Sequence, residues 1–136
     1  MSNKIIKINR GDSYEFDVKI TQKDTNEPYI LEDGKDIVYF AIMLPHQSFD
    51  SAYQKAYPLE AKGYIPEDGD QDISTGNIKI KIEPKDTLRL APGVYYYTVK
   101  LFKMYTNESR INVIASYDKI LEARTIIERT KFIINE

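Results

Sequence analysis

Asn77-Ile78-Lys79-Ile80-Lys81-Ile82-Glu83 alternates isoleucine with lysine, so Ile78, Ile80 and Ile82 share one face and Lys79 and Lys81 the other. That two-residue repeat belongs to a strand with one buried side and one solvated side. Pro84-Lys85-Asp86-Thr87-Leu88 then predicts one helical turn, and Ala91-Pro92-Gly93 a reversal. Val94 to Lys103 reads as the longest strand, with Tyr95, Tyr97, Val99 and Leu101 facing one way and Tyr96, Thr98 and Lys100 the other. Two strands joined by a single turn, with no helix long enough for a crossover, point to antiparallel pairing instead of a parallel α/β sheet.

The same grammar extends in both directions. Tyr14, Phe16, Val18 and Ile20 alternate with Glu15, Asp17 and Lys19. Ile5, Ile6 and Ile8 open a short first strand that ends at Asn9-Arg10-Gly11-Asp12, where Gly11 is expected to supply a positive φ. Ile37 to Leu44 is apolar at nearly every position, as in a central strand covered on both faces, and Pro45 ends it. Phe49, Tyr53 and Tyr57 have helical spacing, but Ala52 to Tyr57, cut by Pro58, reads better as a loop with a short edge strand. Residues 60–76, with Gly63, Pro66, Gly69 and Gly76 among acidic residues, read as a long surface loop. Ile111 to Ile114 suits a strand, Tyr117 to Ala123 a short helix or turn, and Arg124 to Ile134 a closing strand. The sum is one domain over residues 1–136: an all-β, antiparallel, immunoglobulin-like β-sandwich of about seven strands with one or two short helical turns.

Composition narrows the chemistry. Nineteen basic and 21 acidic residues leave a net charge of -2, which offers no field for nucleic acid and no polybasic membrane signal. No run approaches the ~18 apolar residues of a membrane helix, and the first residues lack the apolar core of a secretory signal. The protein is therefore expected to be made in the cytoplasm, and the Asn107-Glu108-Ser109 sequon to be fortuitous. There is no cysteine, which removes disulfides, thiolate catalysis and cysteine zinc sites together. Eleven Tyr and five Phe with no Trp favour pleated, half-buried surfaces.

No catalytic constellation emerges. The single histidine, His46, follows Pro45 in a loop, without a nucleophile elbow to serve. Asp68, Asp70 and Asp72 have the spacing of a calcium loop, but the glycine and the bidentate glutamate it requires are replaced by Ile73 and Lys79. No glycine-rich phosphate loop is present. The expectation is a non-enzymatic protein with no cofactor and no metal. Arg10-Gly11-Asp12 spells an integrin tripeptide but reads as a turn. Tyr53, Tyr57 and Tyr64 are the candidate partner or glycan contacts, since exposed rings can stack on sugars or on a protein surface. Tyr95 or Tyr97 is expected to return its hydroxyl to upstream backbone, as in a tyrosine corner.

Three segments carry a resemblance: Arg10-Gly11-Asp12-Ser13 before an alternating strand; Asp72 to Ile80 followed by Asp86-Thr87-Leu88-Arg89-Leu90-Ala91-Pro92-Gly93-Val94-Tyr95; and Arg124-Thr125-Ile126-Ile127 running into Lys131-Phe132-Ile133-Ile134. In this order they resemble the immunoglobulin-like domains of tailed-bacteriophage virion proteins, including the N-terminal domains of upper-baseplate proteins. The resemblance implies a virion structural protein on a tail, baseplate or capsid. Its expected partners are other virion proteins, with a homo-oligomer within the assembly as a further possibility; nucleic acid and membrane are not expected. It implies no catalytic residue. The sequence stops where the baseplate proteins continue into helical or fibre regions, which suits an accessory, adaptor or decoration subunit, with residues 58–76 and 104–123 as contact regions. A carbohydrate-binding module using the loop tyrosines is the alternative.

Overall fold

A computed structural model describes residues 4–32, 35–45, 61–64, 75–104 and 120–136. Among them the protein is all-β, with one helical turn. The elements are β1 (Ile6–Asn9), β2 (Tyr14–Lys19), β3 (Asp36–Met43), β4 (Ala61–Tyr64), β5 (Asn77–Ile82), α1 (Pro84–Leu88), β6 (Gly93–Met104) and β7 (Ile120–Asn135). A five-stranded sheet runs β1-β7-β6-β3-β4, and β2 pairs with β5 in a two-stranded sheet.

The alternation decides which faces meet. Phe16 lies opposite Ile80, and Val18 opposite Ile78, so one side of the small sheet is apolar. Its other side sets Glu15 opposite Lys81 and Asp17 opposite Lys79, opposite charges that suit a solvated face. In the large sheet Val38, Phe40 and Ile42 of β3 lie opposite Leu101, Val99 and Tyr97 of β6. The two apolar faces pack on each other through rings. Phe16 sits 6.0 Å from Phe40 and 5.8 Å from Tyr97, both edge-on, and Phe132 lies 6.3 Å from Tyr97. Edge-to-face contacts at such separations add to the area these rings bury. As its apolar run predicted, β3 is buried at every position.

The turns follow local chemistry. Gly11 has a φ of 87°, as expected, and its N–H donates to the Thr87 hydroxyl at 2.8 Å. Arg10 donates through Nε to the Leu90 carbonyl at 2.8 Å, and through Nη2 to that of Leu88. The tripeptide turn thus docks on the end of α1, where Arg10 satisfies the last helical carbonyl, Leu88, and that of Leu90 just beyond it. Gly76, at φ 72°, sits where a Cβ would meet the carbonyl oxygens of Ile20 and Tyr29, the latter at 2.7 Å. Any side chain there forces the backbone apart.

Four expectations need correcting. The sheet is mixed, because β1 runs parallel to β7. Parallel neighbours need a long connection, and the first and last strands have the whole domain between them. Ala61–Tyr64, read as loop, is strand β4, paired with β3 through Val38 and Tyr64. The longest strand is β7, with 16 residues against 12 for β6. Residues 120–123, read as helix or turn, are its first residues, because pairing with Phe102 to Met104 overrides their weak strand propensity. The Ile111 to Ile114 strand and the loop from Ala52 to Tyr57 lie outside the described residues.

Among the described residues β5 has a ladder on one side only, and Tyr64 closes part of the other. Its hydroxyl donates to the Lys81 carbonyl at 2.8 Å and accepts from the Lys81 N–H at 3.1 Å. One phenol thereby ties the edge of the small sheet to the large one. Tyr64→Phe is expected to cost about 1–3 kcal/mol, because both backbone bonds go and the apolar ring stays. Urea unfolding of the two proteins measures it, and a difference within error would show that the clasp contributes nothing.

Candidate functional site

The tyrosines chosen from sequence do not come together in the described structure. Tyr53 and Tyr57 lie outside the described residues, as do His46, the Asp68-Asp70-Asp72 triplet and the Asn107 sequon. Tyr64 is buried, with its hydroxyl held by Lys81, so its ring offers no open platform for a sugar. Tyr95 behaves as expected of a corner tyrosine, donating to the Ala91 carbonyl at 2.8 Å. Tyr97 donates to the Lys4 carbonyl, tying the start of the chain to the core. Among the described residues, no three His, Asp or Glu side chains converge to hold a metal ion, and no helix is long and apolar enough to cross a membrane.

A cleft opens instead at the end of the sheets where β3 begins, β6 ends and β7 starts. Its volume is about 550 Å³. Leu101 and Ala123 contribute apolar surface from β6 and β7, while Gln22, Lys23, Tyr29 and Ile30 come from the segment between β2 and β3. Lys103, Glu122 and Arg124 complete it. These residues reach one place because of strand register. Asp36 lies opposite Lys103, which lies opposite Glu122, and Leu101 lies opposite Arg124.

Behind the cleft wall is a network of charged and polar groups. Asp36 is fully buried. It accepts from the Glu32 N–H at 2.6 Å and from the Tyr29 hydroxyl at 3.3 Å, and Lys103 Nζ stands 3.7 Å from its Oδ1. Lys103 also reaches Glu32 at 3.3 Å and the Tyr29 hydroxyl at 3.4 Å. Burial raises the Asp36 carboxyl above the usual range, although the Glu32 N–H and the Lys103 charge oppose it. Glu32 is lowered by its bonds from Lys35 and then Lys103. Burial, followed by the charge of Asp36, raises Tyr29. For Lys103 burial pulls down, but Asp36 and the Tyr29 and Glu32 contacts outweigh it, and the ammonium is held above its ordinary value.

The chemistry of this arrangement is that of a fixed charge. A general base works best with a pKa near the operating pH. Lys103 is held as ammonium and Tyr29 as phenol, both moved away from neutrality. Asp36, the one group moved toward neutrality, is sealed from any ligand. The cleft can bind and orient.

None of Asp36, Tyr29, Lys103 or Arg124 was picked out from sequence, yet a signal existed. In the alternation Tyr95, Tyr97, Val99, Leu101, the next inward position is Lys103; before Val38 and Phe40 the inward position is Asp36. A lysine and an aspartate facing inward from paired strands predict each other.

Alkaline stability follows from these shifts. Burial raises Tyr64 strongly and raises Tyr97 and Tyr29 as well, while Lys103 is raised against its burial by Asp36 and its Tyr29 and Glu32 contacts. A group whose folded pKa is raised contributes stability that is complete below its unfolded pKa and lost as pH rises through the folded value. Unfolded tyrosines release their protons near pH ~10. The urea midpoint is therefore expected to fall steeply above about pH 10, and less steeply in Tyr64→Phe. A midpoint that stays flat while the tyrosines ionise would contradict their burial.

Compared with known proteins, the chain matches no family model, no curated protein and no solved structure.

Proposed function

We propose that the chain is an immunoglobulin-like docking module of a phage or prophage virion, acting without catalysis as an accessory, adaptor or decoration subunit on a tail, baseplate or capsid. The strand order carries the fold part of this reading. An immunoglobulin variable domain sets strands G, F, C and C′ side by side, with B and E in the facing sheet. β7, β6, β3 and β4 against β2 and β5 fit those letters in chain order. Tyr95 near the start of β6, bonded back to Ala91, matches the tyrosine corner at the start of strand F.

Two residues beyond a corner tyrosine, antibody domains carry the second cysteine of the inter-sheet disulfide, with a tryptophan of strand C packed on it. Here that position is Tyr97. It meets Phe16 of β2 at 5.8 Å across the sheets, and Phe40 of β3 packs on both rings. A cysteine-free aromatic trio thus does the work of disulfide and tryptophan. Rigid presentation of one end and of sheet edges follows from such a core. Among the described residues β1 and β4 each have a ladder on one side only, a form of edge that a neighbour's strand can extend. The virion assignment itself rests on the three sequence segments that resemble phage domains.

The test is association. Tagged protein incubated with tail, baseplate and head fractions of phage particles from the same source should sediment with one of them, and particle reconstruction should show it there. Failure to bind any fraction, with a gene outside a morphogenesis cluster, would overturn the reading.

A further inference from the structure

We propose that the cleft between the β2–β3 segment and the starts and ends of β3, β6 and β7 receives an extended segment of a partner polypeptide bearing a single carboxylate with an apolar neighbour. This names the partner chemistry of the docking module proposed above and rests on that reading.

Arg124 is the centre of the argument. Its Nη2 donates to the Thr21 carbonyl at 2.6 Å, which fixes the guanidinium. A guanidinium has five N–H donors in a planar fork, so donors remain after this bond. No carboxylate pairs with Arg124 among the described residues. Lys103, by contrast, is already engaged by Glu32 and Asp36. Among the described residues that line the cleft, the cations left for a ligand are therefore Arg124 and Lys23.

The shape favours a chain over a compact molecule. A second hollow of about 440 Å³ lies beside the first, lined by Thr21 to Asn26, and it shares Gln22, Lys23 and Arg124 with it. Gln22, Lys23 and Arg124 border both, so an extended chain crossing from one hollow to the other would pass over Arg124. Leu101, Ala123 and the exposed Ile30 supply an apolar surface on one side of that point. Acidic groups mark both hollows, Glu122 in the first and Asp24 in the second. A run of acidic residues would meet them and be repelled. One carboxylate placed on Arg124, flanked by an apolar side chain, avoids both and gains a charge-assisted, two-point contact.

The test uses fluorescence polarisation with three labelled Gly-Ser peptides carrying a central Leu-Glu-Leu, Leu-Gln-Leu or Glu-Glu-Glu. The Leu-Glu-Leu peptide is expected to bind best, with each of the others roughly tenfold weaker or more. Arg124→Gln should lower affinity for Leu-Glu-Leu to that of its Gln twin. Lys23→Gln should weaken it less and reduce its salt dependence. Because Arg124→Gln also removes the bond to Thr21, its thermal unfolding is measured alongside. Lys23→Gln, on an exposed side chain, keeps the test open if the arginine variant unfolds. Equal binding of the Glu and Gln peptides, no binding of either, or affinity unchanged in both variants would each overturn the inference. Virion association that survives both substitutions would overturn it too while leaving the docking function standing; wild-type protein that binds no virion fraction removes the docking function instead.

Discussion

Phe40→Ala is expected to remove about 3–5 kcal/mol of folding stability, the cost of deleting a fully buried aromatic ring. Phe40 is 1% exposed and stands where the sheets meet, with Phe16 at 6.0 Å, Tyr97 at 6.0 Å and Phe132 at 6.4 Å. The protein has no cysteine to staple the sheets, so the contact between them at this point rests on ring packing. A domain of this size has roughly 5–15 kcal/mol in total, and the variant will be marginal. Tyr97→Phe gives the contrast. It keeps every ring contact and loses only the hydroxyl's polar contacts, to the Lys4 carbonyl and the Thr130 side chain, so roughly 1–2 kcal/mol is expected. Urea unfolding followed by circular dichroism measures both. A loss under about 1 kcal/mol for Phe40→Ala would mean the pocket collapses around the gap and the trio does not set the sheet-to-sheet contact.

Much of this arrangement was legible in the sequence, because burial writes itself as periodicity. Tyr14 to Lys19 and Asn77 to Ile82 alternate cleanly and pair with each other in a ladder whose two faces differ in solvent. The continuous apolar run at Ile37 belongs to a strand buried on both sides. Pairing itself leaves weaker marks. Ala61-Lys62-Gly63-Tyr64 has one large apolar residue in four, so nothing in its own composition announces a strand; it is one because β3 has an edge to extend. The direction of β1 against β7 has no sequence signature, since hydrogen-bond polarity is indifferent to side chains. In β7 the alternation breaks between Arg124 and Thr130. Register shifts against β6 between Tyr97 and Lys100 accommodate extra residues there, and a bulged strand loses its period. The cleft was illegible for a different reason. Arg124 reads as an ordinary polar residue at the start of a strand, and only register against Leu101 brings it to the segment around Thr21.

Lys103→Met should cost about 3 kcal/mol at neutral pH, the lower end for breaking a buried pair. Asp36 has no exposed surface, and the Lys103 side chain is 25% exposed, so water can replace part of the ammonium but cannot reach the carboxylate. Removing Lys103 leaves Asp36 with the Glu32 N–H and the Tyr29 hydroxyl, two donors but no positive charge. The pH dependence identifies the cause. Asp36 is already raised by burial, and loss of the Lys103 charge raises it further. A raised carboxyl contributes stability that is complete below its unfolded pKa, near ~3.9, and lost as pH rises through the folded value. The difference between wild type and Lys103→Met is therefore small at about pH 4 and grows toward neutrality. Asp36→Asn supplies the second check: in that background Lys103→Met should cost under about 1 kcal/mol, because no buried charge remains to strand. If the penalty were the same at both pH values and in both backgrounds, Lys103 would stabilise the fold by packing its methylenes over Tyr29, and the charge would be incidental.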